Sequence, residues 1–404
     1  HRVCRFVLSN DSAGFSSRQE ADLIVSDHVA FRPIDVKMGP DGAIYIADWY
    51  NPIIQHGEVD FRDPRRDHVH GRIWRVTCKD RPLVEPPSLR TATDAELLDQ
   101  LTSPEKWTRQ QSKRVLAERG TSVLPAVAPW IDRLDKQSPE YDRLRLEAAW
   151  VYQSLDFVDV QLIGELLQSP DFQIRAAATR MLGHVYDEIP QSMDWFARMV
   201  TDDSPRVRLE AARALTNVGT LQAVEMALTT LDRPVDRYLD YAVWLTVREL
   251  KDVWLPAVKS GEFNFKGRAD HLVFAAKAVG SPEIVQSLVA IVDEHPREIN
   301  EAISIYELIG ELGGTNELNV LFERALTASL PEVQVKLCDA LARAARERNV
   351  RPDQNLDRIE SLMASDEPDL QLAAIRCIGA WQLTGFKDEM TESLRNVDAT
   401  LKHR

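Results

Sequence analysis

The residues best suited to chemistry lie in the stretch that runs from Asp48 to Gly71. It holds three of the nine histidines of the chain, His56, His68 and His70, among several aspartates and arginines. Its length exceeds the ~12 to 15 residues beyond which loops in compact domains are usually functional or disordered. An imidazole beside a carboxylate can form an acid–base pair or part of a metal site. The stretch therefore predicts either one wall of a binding pocket or a lattice of Arg–Asp ion pairs that holds a long loop in place.

Short strands must position this stretch. Five runs of β-branched and aromatic residues, separated by turn signals, lie between Arg2 and Thr77: RVCRFVLS, DLIV, PIDVKM, AIYIADW and GRIWRVT. Such spacing is typical of an antiparallel meander, and the sequence GPDG from Gly39 predicts a tight turn within it. Five short strands can neither close a barrel nor bury two faces. We therefore expect this segment to need partner strands that the sequence does not contain.

Residues 31–76 also resemble part of a known family. They read FRPIDVKMGPDGAIYIADWYNPIIQHGEVDFRDPRRDHVHGRIWRV. This is similar to the closing blade of the six-bladed β-propeller in the membrane-bound dehydrogenase-domain family of multidomain bacterial proteins. The propeller of that family is similar to quinoprotein sugar and sorbosone dehydrogenases, and it is followed by HEAT-like repeats and usually by a cytochrome c domain with a CxxCH motif. The sequence DRYLDYAVWLTVREL from Asp236 resembles the middle repeats of the same family.

The resemblance implies that the chain is an internal fragment of a longer protein, with most of a propeller before it and a haem domain after it. It implies no cofactor in this chain, and pyrroloquinoline quinone and haem c in the intact protein. It also implies a periplasmic or otherwise exported location, and the N-terminal HRVCRFVLSN lacks a signal-peptide layout. We expect the fragment alone to be non-catalytic because its propeller is incomplete.

In a propeller blade, the start of the innermost strand and the loop that leaves the second strand share one face. The resemblance therefore predicts six cofactor-binding candidates: Arg32, Asp48, Trp49, His68, His70 and Arg72. Arg32 or Arg72 can pair bidentately with the carboxylates of a quinone cofactor. Asp48 with His68 or His70 can form an acid–base pair. Strand-end packing and ion pairs within the loop are the alternatives, and the sequence assigns neither a catalytic residue nor a metal site.

A helical repeat fills the chain from about Leu89 onward. DSPRVRLEAARALTNVG from Asp203 matches SPDFQIRAAATRMLG from Ser169, and RLEAA recurs after Leu144. A fixed period of this length is the mark of a stacked two-helix unit. Equivalent arginines recur in it, and we expect them to bond to carbonyl groups of the preceding turn: Arg109, Arg145, Arg175 and Arg208. Ser–Pro pairs predict helix starts, with serine at the N-cap and proline at the first helical position: Ser103–Pro104, Ser138–Pro139, Ser169–Pro170, Ser204–Pro205 and Ser281–Pro282.

The repeat pattern, V-R-x-x-A-A-R-A-L after a proline, resembles HEAT-like repeats. Tetratricopeptide repeats are the alternative of similar period, but no W-x-x-L-G-x-x-Y series is present. The predicted fold is therefore mainly α: a HEAT-like α-solenoid with a short all-β N-terminal segment from the end of a β-propeller. Residues 1–80 are assigned to the propeller, residues 81–92 to a linker and residues 93–404 to helical repeats.

Charge and motif content narrow the function. The net charge of −14 arises after residue 90, because acidic and basic residues balance before it. An acidic helical array is a poor partner for nucleic acid, whose binding needs clustered Lys and Arg. No apolar run approaches the ~20 residues that span a bilayer. The four cysteines form no CxxC, and a disulfide between Cys4 and Cys78 is left open.

Two functions remain after these exclusions. In the first, the helical array is a spacer or docking scaffold between a redox propeller and an electron-accepting domain of the intact dehydrogenase-like protein. In the second, the chain is a stand-alone HEAT-repeat scaffold that binds a protein partner. Both predict a protein partner or a neighbouring domain.

Overall fold

The structure is a computed structural model that describes residues 1–55, 57–280, 284–286, 288–289 and 299–388. Contacts divide the chain into two units. Unit 1 comprises His1–Asn217 with Val235–Leu239, and unit 2 comprises Val218–Pro234 with Asp240–Arg404.

Seven antiparallel strands lie in the described part of residues 1–80. Strand β1 (Arg2–Val3) pairs with β4 (Ile24–Val25), and β2 (Phe6–Asp11) pairs with β3 (Gly14–Gln19). A three-stranded sheet has the order β5 (Pro33–Met38), β6 (Ile44–Asp48) and β7 (Arg72–Val76). This sheet is the predicted meander around the GPDG turn.

The hairpin β2–β3 differs from the prediction. The run RVCRFVLS was predicted as one strand, but β1 ends at Val3 and β2 begins at Phe6. Strand β3 (GFSSRQ) was not predicted, because its residues are mostly polar and exposed and so show no alternating apolar pattern. A two-residue loop joins the strands, and Ser12 in it adopts a left-handed conformation (φ 52°).

The sheet β5–β6–β7 has a small core. Val3, Phe31 and Ile46 are buried together, and Ile24, Ile44 and Val76 pack against them. The β5 residues opposite Ile46 and Ile44 are Val36 and Met38, and each remains 44% exposed. Ile34 is 68% exposed and Ile73 is 77% exposed. The sheet therefore keeps several apolar side chains in solvent.

Helices arranged in consecutive pairs occupy the described residues from Asp94 onward. Their bounds, in chain order from α1 to α17, are Asp94–Asp99, Lys106–Arg119, Leu124–Asp132, Tyr141–Ser154, Val160–Leu166, Phe172–Val185, Ser192–Met199, Pro205–Val218, Leu221–Thr229, Arg237–Glu249, Lys251–Lys259, Ala269–Val279, Ile299–Leu312, Thr315–Thr327, Pro331–Arg348, Glu360–Met363 and Pro368–Trp381. In unit 1, α2 contacts α4 and α4 contacts α6; in unit 2, α12, α13, α15 and α17 contact one another in succession. Stacking of neighbouring pairs is thus present within each unit.

Two glycines show how closely neighbouring helices approach. A Cβ atom on Gly183 of α6 would lie 2.6 Å from the Cβ of Ala214 in α8. In unit 2, a Cβ atom on Gly310 of α13 would lie 2.8 Å from the Cβ of Ala340 in α15. Small residues thus let helix backbones meet, and large side chains such as Leu116 are fully buried between them. Full burial of one such side chain contributes about 1.5 to 3 kcal/mol to the stability of the folded state.

The repeated arginines behave largely as predicted. Nη1 of Arg175 donates to the carbonyls of Ser169 (2.9 Å) and Pro170 (3.1 Å). Arg109 and Arg208 make the same pair of bonds to the residues six and five positions before them. Arg145 differs, because its guanidinium contacts the carboxylates of Asp142 and Glu165.

The predicted helix starts need correction at three of the Ser–Pro pairs. Helix α8 begins at Pro205 as expected, but α2, α4 and α6 begin two residues after their prolines. There the serine hydroxyl accepts from the backbone N–H two residues later, as Ser169 does from Asp171 (3.3 Å). The serine therefore closes a turn before the helix, and for α6 Asp171 is the N-cap. Ser281–Pro282 lies outside the described residues.

The observed fold is mainly α with a short all-β N-terminal segment, which confirms the predicted fold class. The last strand ends at Val76 and the first helix begins at Asp94. The predicted domain limits at residues 80 and 93 stay a prediction. Among the helices described, none combines the length and apolar character needed to cross a bilayer.

Candidate functional site

Asp48 is the most buried of the six predicted site residues, with 3% of its surface exposed. Its Oδ1 accepts from the backbone N–H of Arg32 (2.7 Å) and of Tyr50 (2.9 Å), and its Oδ2 accepts from Trp74 Nε1 (2.9 Å). Burial opposes ionisation, but the bonds from Trp74, Arg32 and Tyr50 outweigh it and hold the pKa of Asp48 below its usual value. Asp48, as an ionised carboxylate, therefore joins the start of β5, the end of β6 and the middle of β7.

The two predicted arginines lie near this carboxylate but contact other groups. Arg32 donates to the carbonyls of Phe31 (3.0 Å) and Pro52 (3.3 Å), and its Nη1 lies 2.7 Å from a ring nitrogen of His1. The Arg72 guanidinium lies 3.7 Å from the ring centroid of Tyr50, a cation–π distance. The positive charge of Arg72 also helps to lower the pKa of Asp48.

The long loop after β6 is held by an arginine that the sequence did not single out. Arg66 is buried, and its guanidinium donates to the carbonyls of Ile53 (3.2 Å), Val59 (2.9 Å) and Asp60 (3.0 Å) and also to Gln55. It thereby gathers four points of the loop around one side chain. Arg66 was hard to distinguish from Arg62 and Arg65 in sequence, because only the fold shows which of the three is buried.

His70 lies in an exposed turn next to Asp67. The Asp67 carboxylate accepts from the backbone N–H groups of Val69 and His70 (both 2.9 Å), and Nδ1 of His70 lies 3.0 Å from it. The bonds from Val69 and His70 lower the pKa of Asp67 to about 2. His68 is exposed in the same turn.

The structure thus brings Arg32, Asp48 and Arg72 together at the strand ends, and the backbone of Trp49 pairs there with Arg32. It places His68 and His70 in a separate exposed turn, where His70 pairs with Asp67. His56 lies outside the described residues. Cofactor binding by the six residues stays a prediction. Of the Arg–Asp ion pairs proposed as the alternative, Arg65 pairs with Asp63 at 2.8 Å, whereas Arg66 bonds to backbone carbonyls.

A second, better-defined contact lies at the tip of the hairpin β2–β3. Ala13 is fully buried there; its N–H donates to Asp236 Oδ2 (2.6 Å), and its carbonyl accepts from Arg206 Nη1 (3.0 Å). The Tyr238 hydroxyl donates to the carbonyl of Phe15 (3.1 Å). The ring of Tyr238 lies so close to Gly14 that a Cβ atom there would meet it at 2.6 Å. We call this group of contacts the hairpin clamp.

The hairpin clamp joins residues about 200 positions apart in one compact unit. Asp236 Oδ1 also accepts from the backbone N–H groups of Tyr238 (2.7 Å) and Leu239 (2.9 Å), so the same carboxylate caps the first turn of α10. Sequence reasoning missed the clamp, although the segment from Asp236 was noted for its resemblance. Nothing in a single sequence links Ser12–Ala13 to Asp236.

Beside the clamp lies a cleft of about 780 Å³ between the hairpin and the helices of unit 1. We call it the hairpin slot. Its apolar walls include Phe15, Trp150 and Phe172, and its polar residues include Lys106, Arg180, Arg206 and Glu210. Glu210 is buried and accepts from Arg180 (2.6 and 2.9 Å), while Arg206 lies 3.0 Å from it. This hydrogen-bonded carboxylate raises the pKa of Arg180.

A cluster in unit 2 places possible metal ligands together. Asp232, Asp270 and His271 bring ligand-type atoms within 4.8 Å of one another. The Arg268 guanidinium lies 2.6 Å from Asp232 and 2.7 Å from Asp270, and its bond lowers the pKa of Asp232. Because the arginine already supplies positive charge between the carboxylates, the cluster is best described as an ion-pair group.

Two parts of the chain match models of known protein families. Residues 1–80 match the model of a domain of unknown function, DUF7133, and residues 160–245 match the model of HEAT repeats. The helical part is HEAT-like. The match to HEAT repeats agrees with the stacking of helix pairs seen in the structure. Each of the two family models covers less than half of the chain. No curated protein matches.

Several solved structures are similar at low identity. An engineered protein, target OR497, is 18% identical over 77% of this chain and 86% of its own, with a TM-score of 0.27. The CpcE–CpcF complex of phycocyanin lyase from Nostoc sp. PCC7120 is 17% identical, covering 61% of this chain and 94% of that one, with a TM-score of 0.24. Kap121p bound to Pho4p is 13% identical, covering 78% of this chain and 41% of that one, with a TM-score of 0.37.

Proposed function

We propose that this chain is a non-catalytic protein scaffold. Its HEAT-like helix pairs hold the strand segment in a fixed position and offer surfaces to a protein partner or a neighbouring domain. The observation that carries the proposal is the hairpin clamp, in which Arg206, Asp236 and Tyr238 hold the hairpin tip. A two-stranded hairpin is marginally stable in water on its own, so these contacts give the helices a positioning role.

The proposal extends to the protein from which the chain is taken. There, the helices act as a spacer between a redox propeller and an electron-accepting domain, and the intact protein is exported. The resemblance of residues 31–76 to a propeller blade supports this. The exposed apolar side chains of Ile34, Val36 and Ile73 also support it, because neighbouring parts of a propeller would cover such side chains.

Pyrroloquinoline quinone and haem c are the cofactors that this proposal gives to the intact protein. A bound quinone would accept electrons from a sugar or alcohol. Within this chain, Arg32 and Arg72 fit a role in orienting its carboxylates, because guanidinium groups pair with carboxylates bidentately. Asp48 also has a structural role there, since it is buried and its two oxygens accept hydrogen bonds from three N–H groups.

The reading frame around the chain tests the extended proposal. We expect further blade-type strand repeats and an export signal upstream of His1, or a CxxCH motif downstream of Arg404. A frame that lacks all of these features would contradict the dehydrogenase-like context and favour the stand-alone HEAT-repeat scaffold.

A turnover assay tests the non-catalytic assignment. The purified chain is mixed with pyrroloquinoline quinone, a dye acceptor and a panel of sugars and alcohols. We expect no dye reduction above a protein-free control. Turnover that depends on the chain would overturn the assignment, and its loss in an Arg72→Ala variant would then identify a working site.

A further inference from the structure

The hairpin slot is bounded by two walls of different origin. One wall is the face of the hairpin that carries Phe15, and the other is formed by helices α2, α4, α6 and α8. The hairpin contacts the helices at its tip, where Ala13 is buried, while Phe15 remains 49% exposed. A volume of about 780 Å³ lies within the ~300 to 1,000 Å³ range of ligand-binding clefts.

The apolar wall continues along the hairpin beyond the slot. Strand register pairs Asn10 with Phe15, and alternation along β2 places Phe6 and Leu8 on the same face as Asn10. Phe6 is 54% exposed and Leu8 is 65% exposed. Together with Phe15 they form an apolar strip longer than a small molecule needs, which favours an extended peptide as the occupant.

The charge of the slot favours an acidic occupant. Lys106, Arg180 and Arg206 face a single carboxylate, Glu210, among the lining residues. Glu210 is shared by both arginines, so the local balance is positive on a chain whose net charge is −14. The Arg180 side chain is 61% exposed and can reach a ligand while it remains bonded to Glu210. Charge complementarity of this kind mainly confers specificity.

We propose that the hairpin slot binds an extended peptide segment in which aromatic or aliphatic side chains alternate with carboxylates. The apolar side chains pack between Phe15 and Trp150, and the carboxylates pair with Arg180 and Lys106. This inference rests on the proposed scaffold function, because it names the surface and the partner chemistry that the scaffold uses.

The test uses the full chain and two synthetic octapeptides. In one, leucine alternates with aspartate; in the other, leucine alternates with lysine. Binding is measured by isothermal titration calorimetry at low and high salt. We expect the aspartate peptide to bind and the lysine peptide to bind at least about tenfold more weakly, with the preference reduced at high salt because exposed charges are screened.

Three variants locate the binding site. Arg180→Ala and Phe15→Ser change exposed positions on the two walls of the slot, and each should weaken binding of the aspartate peptide by about fivefold or more. Arg343→Ala, at an exposed position of α15, is the matched control and should leave binding unchanged. Circular dichroism melts check that all three variants fold.

Three outcomes would overturn the inference: no binding of the aspartate peptide at millimolar concentration, equal binding of the lysine peptide, or equal weakening by Arg343→Ala. None of these outcomes bears on the turnover assay or on the flanking reading frame. Failure of the slot is therefore distinguishable from failure of the scaffold proposal.

Discussion

The arginine that recurs at one position of the repeat, represented by Arg175, holds the turns between helices in place. Arg175 bonds to the carbonyls of Ser169 and Pro170 through Nη1, and its Nε and Nη2 pair with the two oxygens of Asp202 at 2.8 and 2.9 Å. These bonds, in which Asp202 accepts, raise the pKa of Arg175. One side chain thus ties its own preceding turn to the turn of the next pair. A planar guanidinium can do this because its five N–H groups point in fixed directions.

Replacing Arg175 with lysine tests this role. A lysine ammonium cannot reach both carbonyls and both carboxylate oxygens at once, so we expect a loss of about 1 to 3 kcal/mol in the free energy of unfolding. Arg114→Lys is the control, because Arg114 makes an exposed i, i+4 pair with Glu118 that contributes at most about 0.5 kcal/mol. Urea titrations followed by circular dichroism at 222 nm measure the free energy of unfolding of both variants. Equal stability of the two variants would contradict the proposed role of Arg175.

The turn at Asp67 should depend on pH in a defined direction. The pKa of Asp67 is lowered from 3.8 to about 2 by the N–H groups of Val69 and His70. A lowered carboxyl pKa stabilises the folded turn above the unfolded pKa and loses that contribution as pH falls through the folded pKa. We expect amide exchange at Val69 and His70, corrected for its intrinsic pH dependence, to rise between about pH 4 and pH 2. Asp67→Asn should remove this rise, and a rise that persists in the variant would point to another group.

The sequence revealed some residue roles and concealed others. Arg109, Arg175 and Arg208 were predictable because their spacing repeats and each has its carbonyl partners nearby in the chain. Asp48 and Arg66 were not, since their roles depend on burial and on partners brought in by the strands. One of the arginines that suggested a cofactor site, Arg66, instead holds the loop through backbone carbonyls.

Helix spacing in this array depends on small residues at crossing points. Gly183→Ala places a methyl group against Ala214, where the Cβ atoms would be 2.6 Å apart. We expect the free energy of unfolding of this variant to fall by about 1 to 3 kcal/mol, because the added methyl group forces the close-packed helices apart. Gly379→Ala in α17 is the matched control: its Cβ would have no neighbour within 4 Å, and alanine favours a helix by about 1 kcal/mol. The melting temperature should therefore fall in Gly183→Ala and rise in Gly379→Ala. A shift in the same direction in both variants would show that close packing at Gly183 does not limit stability.

Element types were more predictable than element limits. The recurring sequence around RLEAA identified the helical units, but the Ser–Pro pairs misplaced three helix starts by two residues. The physical reason is that a serine–proline pair can also form a short turn that comes directly before the first helical residue. The strand β3 was missed because a solvent-exposed hairpin needs no buried face, and without one it leaves no alternating pattern.

At the scale of the whole molecule, the hairpin clamp is the contact that most needs an experiment. Tyr238→Ala removes the ring beneath Gly14 and the bond to the Phe15 carbonyl. We expect hydrogen exchange to accelerate within residues 6–19, since a free two-stranded hairpin is marginal. Exchange in helices α2 to α6 should remain as in the wild type.

The control for this variant is Tyr241→Ala. Tyr241 lies one turn later on α10 and is 59% exposed. Its removal should leave residues 6–19 unchanged. If Tyr238→Ala also left them unchanged, the hairpin would not depend on the clamp.

The division into a strand segment and helical repeats could be predicted, because short β-branched and aromatic runs end near Thr77 and a recurring helical sequence follows from about Leu89. The clamp could not, because it joins Ala13 to Asp236 across most of unit 1. Contacts of such long sequence separation leave no local pattern in one sequence.

The uncovered sheet has a practical consequence for the protein in solution. Among the described strands, β5 and β7 are the outer members of their sheet, and Val36 and Ile73 lie on them in contact with water. Open strand edges with apolar side chains invite edge-to-edge association. We therefore expect the purified chain to self-associate as its concentration rises, which light scattering coupled to gel filtration would measure. Val36→Lys should keep it monomeric, because a charge on an edge strand opposes the addition of another strand.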